Sequence, residues 1–196
     1  MISIEQGRRP ILSIVGTGKN LDSNLENTAY IVGELAINAG FRIVTGGLGG
    51  VMQAASEGAR AARGYMEGDV IGILPGSESS QANPFVDVAI PTGMGIARNT
   101  LVVSCADVVV AIGGGAGTLS EMALAWQLGK PVIALRHTPG WSAFLADQSL
   151  DTQQTHTVHG ATDAEEAIRL ARQMYTAQTT HEVSKESADG PTGEAS

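Results

Sequence analysis

Cysteine is almost absent from this chain of 196 residues: Cys105 is the only one. A lone thiol closes no internal disulfide, which fits a reducing cytoplasm, and within the apolar stretch 101–106 it is expected to be buried and reduced rather than nucleophilic. Positive charge is sparse as well. Lys and Arg number 12 against 20 Asp and Glu, a net charge of −8 with no basic cluster, which excludes a general nucleic-acid binder. No apolar run approaches the ~18 residues of a membrane span, and no hydrophobic signal region precedes the strand-like residues 11–15. His137, His156, His159 and His181 lack metal-ligand spacing, so no metal site is expected. These absences point to a cytoplasmic protein whose partner is a small molecule, with no nucleic acid and no membrane.

Apolar residues make up 43% of the chain, which suits one packed core. Short β-branched runs alternate with helical patterns. Strands are expected at 11–15, 42–45, 70–74, 86–90, 108–112, 132–135 and near 155–158, and helices at 24–38, 51–63, 96–105, 119–128, 141–146 and 164–175. This alternation defines an α/β fold, a mostly parallel sheet with helices on both faces, and the wholly apolar run Val108–Ile112 suits a strand covered on both sides. Residues 1–10 read as an N-terminal extension and 11–176 as a single nucleotide-binding domain. The segment 177–196 is rich in Thr, Ser, Gly and Glu and reads as a disordered tail.

Glycine is abundant, with 25 residues, and three glycine turns follow expected strands: Gly16-Thr17-Gly18, Gly46-Gly47-Leu48-Gly49-Gly50, and Gly113-Gly114-Gly115-Ala116-Gly117. Ligands of parallel sheets bind at these carboxyl ends. The third turn opens a helix, where close backbone approach, unpaired N–H groups and the positive end of a dipole favour an anion. A phosphorylated small molecule is the expected guest. The G-x-G-x-x-G fingerprint, the P-loop spacing and the G-x-S-x-G elbow are all missing, against a nicotinamide dehydrogenase, an ATPase or an elbow-type hydrolase. Glu121 has two readings, a charge beside the ligand or one half of a capping box with Thr118. Arg98 has three: it meets the ligand, balances Glu121, or pairs with Asp107. Trp126, Leu124 and Leu128 follow helical spacing and read as core or subunit contact.

The stretch Gly113–Glu121 resembles the P-G-G-x-G-T-x-x-E motif of the lysine-decarboxylase-like, or "Lonely guy" (LOG), superfamily, with Gly113 in place of proline. Arg98-Asn99 stands where that superfamily carries an R-K pair, and Val44–Met52 is similar to its other glycine loop. The details resemble the molybdenum cofactor carrier branch, through G-G-G-x-G-T-L-S-E, the stretch Gly93–Asn99 and the run Leu128-Gly129-Lys130-Pro131-Val132. The resemblance implies a modified Rossmann fold over roughly residues 10–175 and a homo-oligomer, dimer or tetramer. For a carrier it implies no required cofactor, with the molybdenum cofactor as carried ligand. Its phosphate would lie on Gly114, Gly115, Ala116, Gly117 and Thr118, and a heterocycle pocket would be shaped by Gly46, Gly47, Gly49, Met94 and Arg98. For a LOG-type enzyme it implies hydrolysis of the N-glycosidic bond of a nucleoside 5′-monophosphate, with Arg98 and Glu121 flanking the ribose.

Overall fold

The computed structural model describes residues 8–19, 21–152 and 156–188. Most of the expected N-terminal extension and residues 189–196 of the expected tail lie outside the described residues, as does Thr155.

Seven strands form one sheet. They are β1 (Ile11–Gly16), β2 (Arg42–Thr45), β3 (Val70–Leu74), β4 (Val88–Pro91), β5 (Val108–Ile112), β6 (Val132–Leu135) and β7 (His159–Ala161), in the order β4-β3-β2-β1-β5-β6-β7. Every neighbouring pair is parallel, so the Rossmann-like α/β reading holds in its strictest form. The helices are α1 (Ser23–Asn38), α2 (Val51–Ala61), α3 (Asn99–Ser104), α4 (Ala116–Gln127), α5 (Trp141–Leu145) and α6 (Ala164–Ala188).

Side chains alternate across the pleat, so each strand feeds two cores. From β5, Val108, Val110 and Ile112 enter a cluster with Leu25 and Val32 of α1, Ala55 of α2 and Ala167 of α6. Val109 and Ala111 enter the opposite cluster, with Val102 and Val103 of α3 and Met122 and Trp126 of α4. Both faces of β5 are thereby buried, as its apolar run requires.

Several boundaries differ from expectation, each for a local reason. The helix expected at 96–105 divides into a 3-10 turn, Gly95–Arg98, and the short α3. The expected start of α4 at Leu119 moves back to Ala116, because the first turn of a helix tolerates glycine where its interior does not. The last strand lies at His159–Ala161, where it pairs with Ile133–Leu135, instead of near 155–158. Helix α6 runs on to Ala188, past the expected onset of disorder at 177. Cys105, expected to be buried, is exposed: it caps the C-terminus of α3, whose buried face is Val102 and Val103.

Candidate functional site

In this strand order the chain runs outward from β1 through β2, β3 and β4, then crosses back to β5. The connections after β1 and β5 therefore diverge to opposite faces, and a crevice opens between their carboxyl ends. A cleft of about 290 Å³ lies there. Its rim is two helix N-termini. Helix α2 begins after Gly50 and α4 after Gly115, and neither has a side-chain cap. In α4 the first intrahelical bond runs from Leu119 N–H to the Gly115 carbonyl at 3.0 Å, which leaves the N–H groups of Ala116, Gly117 and Thr118 at the open end. A Cβ on Gly115 or Gly117 would meet nothing within 4 Å, so both residues face open space.

The floor of the cleft is an ion pair. Arg98 Nη1 lies 3.4 Å from Glu121 Oε1, and the two residues are only 8% and 7% exposed. Arg98 Nη1 also donates to Asn99 Oδ1. Asn99 Nδ2 donates to Ser120 Oγ at 3.2 Å, which ties the start of α3 to α4. The Arg98 guanidinium occupies the space in which a Cβ on Gly46 would sit, so the glycine there is a requirement of close approach. Burial pushes the Glu121 carboxyl up from 4.5 to about 7, against the opposing pull of Arg98. Burial likewise lowers the Arg98 pKa, opposed by Glu121. Arg98 Nε is buried and has no hydrogen-bond partner among the described residues.

Of the residues singled out in the sequence, Gly16, Thr17, Gly18, Gly46, Arg98, Gly115, Gly117, Thr118 and Glu121 line this one cleft. The others lie outside it. Gly47 packs toward Leu74 and its carbonyl accepts from Asn83 N–H at 2.9 Å, a role in holding the β3 side of the sheet. A Cβ on Gly49 would lie 3.7 Å from the Gly18 carbonyl oxygen. Gly114 is buried beneath Thr118, Ala116 occupies the first position of α4, and Met94 is exposed on the loop after β4. The capping box does not form: the N-cap is Gly115, and Glu121 turns to Arg98. Asp107 pairs with Arg8 rather than Arg98. Sequence reasoning did not single out Ile14, Val15, Met52, Ile96 or Asn99 as site residues, although all five line the cleft. Met52, Ile96 and Asn99 lay inside the flagged stretches Val44–Met52 and Gly93–Asn99, and membership in those stretches was the available signal.

A crevice at the sheet's reversal point, rimmed by glycine-started helices, belongs to a Rossmann-like α/β fold, and residues 9–171 match the model of the SLOG cluster4 family. The chain belongs to that family. The molybdenum cofactor binding protein of Rippkaea orientalis is similar at 37% identity and a TM-score of 0.74, over 86% of this chain and 98% of that one. The molybdenum cofactor carrier protein of Chlamydomonas reinhardtii is similar at 34% identity and a TM-score of 0.72, over 86% and 99%. An uncharacterized protein of Archaeoglobus fulgidus is 40% identical over 125 residues, 64% of this chain and 79% of that one. DNA processing protein A of Helicobacter pylori, at 18% identity and a TM-score of 0.57, shares the fold. Among the described residues no helix is long and apolar enough to cross a membrane, and no group of three or more His, Cys, Asp or Glu is arranged to hold a metal.

Proposed function

We propose that this protein binds a phosphorylated pterin of the molybdenum cofactor type and carries it without changing it. The observation that carries the reading is the open N-terminus of α4 at the cleft, where the N–H groups of Ala116, Gly117 and Thr118 converge beside two glycines that leave room for a phosphate. The Arg98 guanidinium at the floor of the same cleft places a positive charge there, suited to an anion. The resident groups fit such a ligand through its phosphate. The similarity to cofactor-binding and carrier proteins supports the same reading. Gly115→Val tests it. At φ −99° with open space beyond its Cβ, this position accepts a side chain without strain, so the fold stays and the phosphate seat is filled. Equilibrium binding of the purified pterin should fall at least tenfold with an unchanged melting temperature; unchanged affinity would refute the assignment.

One observation favours a second reading, hydrolysis of a nucleoside 5′-monophosphate at its N-glycosidic bond. A carboxyl held near 7 beside an arginine is poised to activate a water or to stabilise positive charge on a sugar. Incubation with a panel of nucleoside 5′-monophosphates separates the two. Base release abolished by both Glu121→Gln and Arg98→Ala would establish the enzyme, and no release across the panel would leave the carrier.

A further inference from the structure

The loop that opens α4 is fastened from behind. Gly113 and Gly114 are buried, with φ of 63° and 100°. The Gly113 carbonyl accepts the Ser142 N–H at 3.2 Å and the Gly114 carbonyl accepts the Trp141 N–H at 3.0 Å, so both oxygens are turned toward α5. In a planar trans peptide the N–H points opposite to the C=O of the same unit. The N–H groups of Gly114 and Gly115 are therefore aimed away from α5.

The Gly113 N–H is fixed too. It lies 3.0 Å from Thr138 Oγ1 and 2.8 Å from Ser142 Oγ. Thr138 spends its single hydroxyl proton on the Leu135 carbonyl at 2.9 Å, so in the 2.7 Å contact between the hydroxyls Ser142 is the donor. Both oxygens are then left to accept from Gly113, and the network is complete without water. Thr138 is 6% and Ser142 0% exposed. Between them stands Gly140, where any Cβ would collide with the Gly114 carbonyl.

We infer that Thr138 and Ser142 are positioning residues for phosphate binding: their paired hydroxyls and the start of α5 fix the peptide planes from Gly113 to Gly115 so that the Gly115 N–H, not the Gly114 carbonyl oxygen, faces the anion. The inference rests on the phosphate-loop reading above. Glycine peptides flip at little steric cost, and a flipped Gly114–Gly115 unit would present an oxygen to the phosphate. Affinity then falls by the fraction of molecules held in the competent orientation.

The test is a titration of 15N-labelled full-length protein with inorganic phosphate, read at the amides of Gly115, Gly117 and Thr118. In the unsubstituted protein these amides shift saturably. Ser142→Ala should weaken phosphate binding about tenfold, the worth of one buried hydrogen bond, and Ser142→Thr should restore it to within about twofold. Thr138→Val against Thr138→Ser gives the same contrast should Ser142→Ala lose its folded spectrum. A merely structural role would lower the melting temperature and leave the phosphate affinity of the folded variants unchanged, which overturns the inference while the phosphate loop stands. No shift at these amides in the unsubstituted protein overturns the loop reading and the inference with it.

Discussion

Glu121 carries the most consequential protonation state in the cleft. Its carboxyl ionises at 4.5 in an ordinary setting and at about 7 here, because burial disfavours the charge more than Arg98 favours it. Below pH 4.5 both folded and unfolded chains hold the proton, and this residue leaves stability unchanged. Between 4.5 and 7 the unfolded chain loses the proton and the folded one keeps it, so stability falls as pH rises; above 7 the effect is complete. Glu121→Gln removes the titration. Melting temperatures of the two proteins should run parallel below pH 4.5, separate in favour of the glutamine variant between 4.5 and 7, and run parallel again above. A constant separation would show that the carboxyl titrates normally. At this scale the sequence was half legible. The spacing of Arg98 and Glu121 marked both residues, but Thr118 three positions before Glu121 made a helix cap equally readable. Which reading wins depends on where α4 starts, and the residues just before that start, Gly113 and Gly114, are held by Ser142 and Trp141 of α5, contacts that no local pattern displays.

Among the elements, the strands were the most legible, because β1, β2, β3, β5 and β6 are largely buried and rich in Val, Ile and Leu, with β5 and β6 apolar throughout. Helix pairing was not legible, since it turns on which small residues meet. Helices α1 and α2 pack through two reciprocal contacts. Gly33 of α1 lies on the backbone of Ala55, and Gly58 of α2 lies on the backbone of Tyr30; a Cβ at either glycine would collide with the carbonyl opposite. The positions are three apart on both helices, one turn, so the two glycines seat the same crossing. Gly58→Ala should gain helix propensity of about 1 kcal/mol and lose more than that by forcing the helices apart, a net destabilisation of roughly 1–3 kcal/mol. Urea unfolding measures it, and a gain in stability would mean that the helices separate freely.

Across the whole molecule the two edges of the sheet have opposite chemistry. The carboxyl edge carries the glycine turns and the cleft; the amino edge carries Asp69, Asp87 and Asp107, each followed by a valine that opens β3, β4 or β5. The repeated Asp-Val pair was visible in the sequence and its role was missed. Asp107 accepts the Ile11 N–H at 2.8 Å and Asp87 the Val70 N–H at 3.0 Å, so these carboxylates satisfy the first backbone donors of neighbouring strands. Asp69 is 1% exposed, accepts the Met66 N–H at 3.0 Å, and pairs with Arg9 at 2.5 Å and Arg42 at 3.6 Å. Asp69→Asn keeps the shape and removes the charge, leaving Arg9 with the carbonyls of Gly40 and Phe41 and a neutral amide oxygen in place of its carboxylate. Breaking a buried pair of this kind costs about 3 kcal/mol. A strand of five residues separates this edge from the cleft by roughly 15 Å at about 3.3 Å per residue, beyond the range at which substitutions couple. Asp69→Asn should therefore lower the urea midpoint and leave phosphate affinity within twofold, whereas Gly115→Val does the reverse. In the double variant the two effects should add to within about 0.5 kcal/mol. A larger departure would mean that the sheet transmits strain from its amino edge to the phosphate loop, and that the cleft is not the independent unit its topology makes it.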